Sequence, residues 1–573
     1  MSFTNTLFFL YNNISDYLVK LYYSPKYHIS EIVALLFNLE SEGPYLLLAD
    51  SIKAGTLMIF LNCVEFFFYD CLSFMGLFVL IGFLLFRSFS KFSLWVSVLN
   101  CFFLVLLLIL NCLSSLFVYN PLYLKTVGWQ KVLLSHRVSI DSILNALSGE
   151  DWLGFESDVI VDELSLSFSL LTGFLIFLCI MYNIESNLKY LNLNILLLFS
   201  IEFLLYNVFF SGDLLWFYIY FESILIPMFL LIGIWGSRER KIHAAYQFFL
   251  YTLFGSIFML VGILFLYVQL GSCDMLLLST LFNKISILPF FVGLVLWFFF
   301  FIAFAAKIPM FPLHIWLPEA HVEAPTAGSV LLAGVLLKLG GFGMIRVSLS
   351  VFTEYNEYMA PAVMFFSLLG IIYCSFSTLR QIDLKKIIAY SSIVHMNFVV
   401  LGLFAFDFQA FVGSVFLMLS HGIVSGALFF CVGMLYDRYH TRNIYYYGGL
   451  TLLMPVYSFF LLFFLVANMG FPGTSSFVGE FLVSVGLVRE NLFLFLISGV
   501  GLVFSAVYSI WLYNRVMFGS LRQGVLLGFS DLTRSEFCIL SFLFLIVLIF
   551  GLGSIYYFEY FEDFCYNLFY LER

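Results

Sequence analysis

Long runs of apolar residues, separated by short polar segments, repeat along most of this chain. A helix needs about 20 consecutive apolar residues to cross the hydrocarbon core of a bilayer, and the runs are of about that length. The pattern predicts fourteen membrane helices, at residues 71–86, 92–118, 164–184, 190–210, 214–234, 246–270, 285–306, 324–345, 359–377, 386–404, 409–436, 450–488, 491–514 and 537–557. The predicted fold class is therefore an all-α polytopic membrane protein.

Two of the predicted helices, the seventh and the twelfth, are interrupted by proline and glycine. Residues 308–325 contain four prolines, and Gly470, Pro472 and Gly473 interrupt the later helix. Such breaks are tolerated inside a membrane where the freed backbone groups line a cavity. Because the breaks lie five helices apart, an odd number, they predict two inverted five-helix repeats with a site at each broken helix.

These helices divide the chain into five predicted parts. They are an N-terminal extension at 1–70, helices 1 to 3 at 71–189 with an inserted loop at 119–163, a first antiporter-like repeat of helices 4 to 8 at 190–346, a second inverted repeat of helices 9 to 13 at 359–516, and helix 14 with a C-terminal tail at 517–573. For the extension and the inserted loop we predict only contacts with a partner.

The basic residues of the loops predict the orientation of the chain. The loops from odd-numbered to even-numbered helices hold 14 Lys and Arg residues, Lys385 and Lys386 among them, whereas the short loops of the other side hold three. Basic loops face the cytoplasm or the mitochondrial matrix. Both termini are therefore predicted on the opposite side.

Composition narrows the class further. The chain is 62% hydrophobic and 11% charged, whereas soluble domains are about 25% charged. Its ten cysteines form no CxxC pair, which argues against iron–sulfur, haem or zinc ligation. Gly340 to Gly343 lie inside a membrane helix and do not form a dinucleotide fingerprint. We therefore predict no cofactor or metal in this chain; the 75 Phe and 34 Tyr hint at an organellar genome.

Four charged residues stand inside the apolar runs, and their charges sum to zero: Glu222, Lys307, Lys338 and Glu480. A charge at the centre of a bilayer costs about 2.5–3.5 kcal/mol on insertion scales, so each is a functional candidate. Taken singly, each has the alternative interpretation of a satisfied core polar group, or for Lys307 of a side chain that reaches the interface. Together, acids and lysines in a low-dielectric interior have the mutual influence on protonation that a proton path requires.

Four histidines are candidate relays between these charges, because histidine titrates near neutrality. They are His314, His321, His395 and His421. The alternative interpretation is that they are structural hydrogen-bond donors. Glu202, in the fourth predicted helix, is a further acid without a predicted partner.

Four segments closely resemble the antiporter-like membrane subunits of respiratory complex I, the proton-translocating NADH:ubiquinone oxidoreductase. They are KIPMFPLHIWLPEAHVEAPTAGSVLLAGVLLKLGGFGMIRV (307–347), LRQIDLKKIIAYSSIVHMN (379–397), LSHGIVSGALFF (419–430) and YIYFESILIPMFLLIGIWG (218–236). The resemblance covers about residues 160–515. The AHVEAP wording and the glutamate of the twelfth helix favour the chain 4 group over the chain 2 and chain 5 groups.

The resemblance implies a role for each intramembrane charge. Glu222 resembles the acid that pairs with the lysine of the seventh helix, here Lys307. Lys338 resembles the lysine of the connecting path, and Glu480 resembles the acid of the exit half-channel. The four histidines fall on the polar axis of the family.

The resemblance also implies the setting of the chain. It implies an enzyme subunit without redox chemistry of its own, with NADH, FMN, iron–sulfur clusters and ubiquinone in other subunits. The expected partners are other membrane-arm subunits, especially neighbouring antiporter-like chains, with membrane lipids and protons and without nucleic acid. The expected location is the mitochondrial inner membrane, with both termini on the intermembrane-space side. A cation/proton antiporter complex and a purely structural scaffold are the alternatives; the four retained charges disfavour the scaffold.

Overall fold

The computed structural model describes residues 93–101, 104–105, 138–139, 156–157, 159–186, 188–284, 289–520 and 530–566, all within one compact unit, residues 62–573. In these ranges the chain is almost entirely helical. The two strands there are β1 (Val138–Ser139) and β2 (Glu156–Ser157), which form a short antiparallel pair. The extension at 1–70, the predicted helix at 71–86 and most of the inserted loop lie outside the described residues.

Residues 93–101 and 104–105 are helical and fall within the helix predicted at 92–118. Nine further helices follow in the first half of the described chain. They are α1 (Glu163–Glu185), α2 (Leu191–Phe210), α3 (Leu214–Ser223), α4 (Leu225–Trp235), α5 (Lys241–Leu270), α6 (Met275–Lys284), α7 (Phe290–Lys307), α8 (Trp316–Glu323) and α9 (Thr326–Leu349). Within α9, the turns Leu332–Leu336 and Met344–Leu349 are π-helical.

Eight helices follow. They are α10 (Thr353–Arg380), α11 (Leu384–Phe404), α12 (Phe408–Tyr439), α13 (Pro455–Asn468), α14 (Ser475–Glu490), α15 (Leu492–Met517), α16 (Arg534–Leu552) and α17 (Ser554–Tyr566). Two short 3-10 turns, Ile444–Tyr446 and Leu450–Leu452, lie between α12 and α13.

Eleven helical segments of the described chain are long and apolar enough to cross a membrane, with α3 and α4 taken together as one. The prediction of a polytopic, all-α membrane protein is confirmed. Every predicted helix from 164–184 onward overlaps one of these segments or the α13–α14 pair. The total of fourteen helices and the two inverted repeats stay predictions.

Two helices begin well before the predicted residue, because hydropathy does not mark the end of a helix. Helix α5 begins at Lys241 rather than at residue 246, and α10 begins at Thr353 rather than at residue 359. Both helices extend into polar sequence, where the backbone hydrogen bonds continue although the side chains are no longer apolar.

The helix predicted at 214–234 is interrupted, which the sequence analysis missed. Ile224 separates α3 from α4, directly after Glu222 and Ser223. Pro227 explains the break, because proline lacks a backbone N–H and its ring clashes with the carbonyl four residues earlier. An ionisable side chain is therefore placed beside a third helix break.

Helices α9, α11 and α12 form the centre of the protein. The most apolar stretch of α12 is 100% buried, whereas that of α16 is 22% buried. Glycines allow the central helices to approach closely: a Cβ at Gly413 of α12 would lie 2.6 Å from Leu482 Cβ and 2.9 Å from Val483 N. Small residues at such contacts are typical of membrane helix packing.

We predict that Gly413→Ala destabilises the protein by about 1–3 kcal/mol, because the new methyl group overpacks the α12–α14 contact. The matched control is Gly499→Ala, since a Cβ at Gly499 would meet no atom within 4 Å. The measurement is the temperature of heat-induced aggregation of the chain in detergent-solubilised membranes. Equal aggregation temperatures for the two variants would contradict this account of the packing.

Candidate functional site

Lys307 ends α7 and is held against the last turn of α3. Its Nζ donates to the carbonyl oxygen of Phe221 at 2.8 Å and lies 3.0 Å from the centroid of the Phe221 ring. The same nitrogen is 3.9 Å from Glu222 Oε1. A carbonyl at a helix C-terminus and an aromatic face both attract a cation, so this buried ammonium group has three favourable contacts.

The break after Lys307 is stabilised by side chains from other helices. Trp316 Nε1 donates to the carbonyl oxygen of Ala306 at 2.9 Å, and Asn397 Nδ2 donates to that of Pro309 at 3.5 Å. Because a bilayer supplies no water, carbonyls freed by a break need such internal partners. These contacts keep Lys307 at a fixed position next to α3.

The Glu222–Lys307 pair is loose. At 3.9 Å the two groups attract without a hydrogen bond, and Glu222 Oε1 is buried without a hydrogen-bond partner within the described part of the chain. At an effective dielectric constant of about 20, the attraction between two unit charges at this distance is about 4 kcal/mol. The pair therefore stabilises both charges, and a small movement of either helix changes that stabilisation.

Lys338 is fully buried on α9, between the two π-helical turns. Its Nζ donates to the carbonyl oxygen of Ala333 at 2.5 Å and lies 2.8 Å from His421 Nδ1. A charged lysine is a donor only, so His421 accepts on Nδ1 and carries its own proton on Nε2 in this arrangement. π-Helical turns are frequent at functional sites, and Ala333 lies in one of them.

Three further residues continue from Lys338 on three different helices. The His421 ring on α12 lies 5.4 Å from the His395 ring on α11, centroid to centroid. His395 Nδ1 is 3.1 Å from Glu480 Oε1 on α14. Lys338, His421, His395 and Glu480 thus form one buried series of titratable groups, called here the central series.

Glu480 is positioned by the α13–α14 break. Gly470, at φ +73°, packs against its carboxylate, and a Cβ there would lie 2.2 Å from Glu480 Oε2. Glycine is favoured twice at this position, since it adopts a positive φ without strain and leaves room for the carboxylate.

The structure places the four predicted charges in two groups. Glu222 with Lys307 form one, and Lys338 with Glu480 belong to the central series; no hydrogen bond or ion pair joins Lys307 to Lys338 in the described structure. Helix α9, which carries Lys338, packs closely against the end of α7, which carries Lys307. A Cβ at Gly340 of α9 would lie only 2.5 Å from Ile308 Cγ1.

The two remaining predicted histidines have different surroundings. His321 on α8 is fully buried and stacks on Phe429 at 4.7 Å, with both ring nitrogens lacking a hydrogen-bond partner in the described structure. His314 stacks on Phe311 and packs against Tyr373, and the structure does not bring it to either group of charges.

A buried charged cluster that was not predicted from the sequence lies at the ends of α8, α11 and α12. Lys385 was predicted in a loop, but its side chain is buried, whereas Lys386 is partly exposed and lies 2.8 Å from Glu319. Glu323 and Arg442 form a buried pair at 3.6 Å. Burial, with repulsion from Arg238, lowers the pKa of the Arg442 guanidinium, and Glu323 opposes this shift.

One signal in the sequence could have identified a buried lysine at the start of α11. Two adjacent lysines at a helix start point in different directions, because successive residues lie about 100° apart on a helix, so one of the two faces the protein.

Glu202, which had no predicted partner, accepts hydrogen bonds from Tyr206 Oη at 2.6 Å and from Asn100 Nδ2 at 3.1 Å. Both hydrogen bonds go to Glu202 Oε1, whereas Oε2 is buried without a hydrogen-bond partner in the described structure. Within the described ranges, no group of three or more His, Cys, Asp or Glu residues is arranged to hold a metal ion.

Comparison with known proteins gives a consistent result. Residues 211–553 match the family described as "NADH:quinone oxidoreductase/Mrp antiporter, TM". The chain is 54% identical over 396 residues to NADH-ubiquinone oxidoreductase chain 4 of Chondrus crispus, covering 68% of this chain and 79% of the relative. It is 52% identical over 394 residues to the chain 4 protein of Marchantia polymorpha, covering 69% and 78%.

A solved structure is similar over most of the chain. It is that of respiratory complex I from Thermus thermophilus with bound NADH, and one of its chains matches with a TM-score of 0.70 at 26% identity. The match covers 87% of this chain and the whole of that chain.

We predict that Gly470→Ala shifts the infrared carboxyl band of Glu480, because the new methyl group displaces the carboxylate from His395. The band is assigned by its loss in Glu480→Gln. The control is Gly473→Ala: Gly473 also has a positive φ, +95°, but a Cβ there would meet no atom within 4 Å. A band unchanged in Gly470→Ala, or shifted equally in both variants, would refute the role of Gly470.

Proposed function

This chain belongs to the family of membrane subunits shared by NADH:quinone oxidoreductases and Mrp antiporters, and we propose that it moves protons through Glu222, Lys307, Lys338 and Glu480. It is a proton-translocating membrane-arm subunit of respiratory complex I, of the chain 4 type. The complex couples NADH:ubiquinone oxidoreduction to proton pumping, so the chain is part of an enzyme. Its own contribution is the proton path.

The observation that carries the proposed path is the central series. A neutral histidine accepts a proton on one ring nitrogen and releases another from the second, so it passes a proton between the groups on its two sides and is ready for the next one after its tautomer is restored. The Nζ–H bond of Lys338 breaks as an Nδ1–H bond forms on His421, 2.8 Å away, and His421 then releases its Nε2 proton. A single water between the rings would carry that proton to His395 Nε2, and His395 Nδ1 releases its own to Glu480 Oε1, 3.1 Å away.

The Glu222–Lys307 pair acts as the switch. While the pair is closed, the carboxylate stabilises the charged form of Lys307 by about 4 kcal/mol, which corresponds to about three powers of ten in a protonation equilibrium. When the pair opens, this stabilisation is lost and the proton moves from Lys307 toward Lys338. Reduction of quinone elsewhere in the complex drives the opening as a change of charge along the membrane arm, and re-pairing resets the site.

The partners, cofactors and location of the chain follow from its place among the membrane-arm subunits of complex I. The partners are the other membrane-arm subunits, with neighbouring antiporter-like chains adjacent to this one, and the cofactors belong to other subunits. The location is the mitochondrial inner membrane, with both termini on the intermembrane-space side. The support for this orientation is the excess of basic residues in the loops from odd-numbered to even-numbered helices.

A cation/proton antiporter complex is the other assignment that the family permits. The same four charges serve either role, and they do not separate the two. The relatives that are more than half identical to this chain carry the complex I name, and this favours the first assignment.

We predict that Glu222→Gln or Lys307→Ala abolishes or sharply reduces proton pumping by the assembled complex, because either change removes the switch. The chain should still insert and assemble, since both substitutions leave the glycine contacts between the helices in place. The measurement is the number of protons translocated per NADH oxidised in reconstituted vesicles. The matched control is Glu319→Gln, which removes the more exposed ion pair with Lys386. A normal proton yield in either test variant rules out this switch.

We predict that the chain migrates with NADH oxidation activity at very high mass when gently solubilised membranes are separated on a native gel. Mass spectrometry of that band should find flavin and iron–sulfur subunits. A small complex without NADH activity would instead favour the antiporter assignment, to be tested by Na⁺ or K⁺ exchange.

A further inference from the structure

Lys385 is a buried lysine that the proposed path does not use. It lies in the first turn of α11 and is 2% exposed. Its Nζ donates to the carbonyl oxygen of Ala324 at 2.9 Å and to Ser329 Oγ at 3.4 Å. Within the described residues no carboxylate lies at ion-pair distance from it. A buried ammonium group without an ion pair is poorly stabilised, and this makes it able to release its proton.

The charged residues near Lys385 do not form an ion pair with it in the described structure. Glu323 attracts it but is already paired with Arg442, whose Nη1 also donates to the carbonyl oxygen of Val322. Asp437 attracts it as well, but that carboxylate accepts a hydrogen bond from Tyr182 Oη at 2.5 Å. Because Arg442 repels Lys385, the cluster supplies partial and divided compensation for its charge.

His321 interacts electrostatically with both Lys385 and Lys338. The Ser329 hydroxyl, which accepts from Lys385, donates to the backbone carbonyl of His321 at 3.2 Å. The positive charges of both Lys385 and Lys338 act on the His321 ring. Both ring nitrogens are buried and lack hydrogen-bond partners in the described structure, so the ring is free to accept a proton on one side and release one on the other.

Lys385 also lies on the side that the basic loops predict to face the matrix, the compartment from which the complex takes up protons. It stands at the start of α11, in one of the basic loops predicted to face the matrix, and the backbone N–H of Leu384 donates to the carbonyl oxygen of Arg442 in another. Lys338, by contrast, lies within α9. Lys385 is therefore the lysine nearer the basic side, and His321 interacts electrostatically with both lysines.

We propose that Lys385 takes up protons from the basic side of the membrane and passes them through His321 to Lys338. This inference rests on the proposed function, because Lys338 is the first group of the central series. Lys338 then receives protons from two sides, from Lys307 when the Glu222–Lys307 pair opens and from Lys385 through His321, and a full cycle needs both. The Nζ–H bond of Lys385 breaks as a bond forms to one His321 ring nitrogen, the other ring nitrogen releases its proton to uncharged Lys338, and solvent reprotonates Lys385. Bound water carries the proton across the gaps between these groups.

The decisive variant is Lys385→Arg, tested in the assembled complex in vesicles. Arginine keeps the charge and the donors but does not release a proton near neutral pH. We expect proton translocation to fall about tenfold or more, as for loss of a positioned proton-transfer group. Assembly on a native gel and NADH oxidation with an artificial acceptor should be unchanged. His321→Phe, which keeps the stacking on Phe429, should give the same loss.

Three comparisons make the result unambiguous. Lys386→Arg is the matched control, because Lys386 is adjacent to Lys385 in the sequence but is partly exposed and paired with Glu319. This variant should pump normally. Normal pumping in Lys385→Arg with loss in Lys385→Met would show a purely structural role and overturn the inference. Lys338→Met separates the two proposals. If Lys338→Met pumps normally, the proposed function fails. If Lys338→Met loses pumping while Lys385→Arg and His321→Phe pump normally, only the uptake route through Lys385 is refuted.

Discussion

The structure depends on one constraint, that hydrocarbon cannot solvate a charge or a free backbone group. Each helix break is therefore matched by a donor or a charge from another helix. The α7 break is stabilised by Trp316 and Asn397, and its terminal Lys307 is held by the end of α3. Because these partners come from separate helices, the charges are positioned by the packing of the whole bundle rather than by any one helix.

Close helix packing brings the titratable groups together. Lys338, His421, His395 and Glu480 belong to four different helices, α9, α12, α11 and α14, which are joined along glycine-rich contacts. A lysine that is charged at one moment and neutral at the next needs neighbours that tolerate both states. Histidine provides this, since its neutral ring is either a donor or an acceptor. The same packing that excludes water therefore leaves a series of groups able to pass a proton.

The sequence predicted the positions of the charges better than their connections. An ionisable residue alone in an apolar run is visible in the sequence, so Glu222, Lys307, Lys338 and Glu480 were found without a structure. Lys385 was not found in this way, because a charged residue next to an apolar run was predicted to lie in a loop. Its burial follows from the direction in which α11 presents its first turn, and that direction is decided by the neighbouring ends of α8 and α12.

The sequence by itself determined the fold class, the approximate helices and the two breaks marked by proline and glycine, because each depends on local composition and on the thickness of a bilayer. The family was also recognisable from the wording of four segments. Only the tertiary structure decided which charges are neighbours, that α3 and α4 are separated beside Glu222, and that His321 interacts with two buried lysines. Those relations join residues far apart in the chain, and they arise from packing that no local pattern specifies.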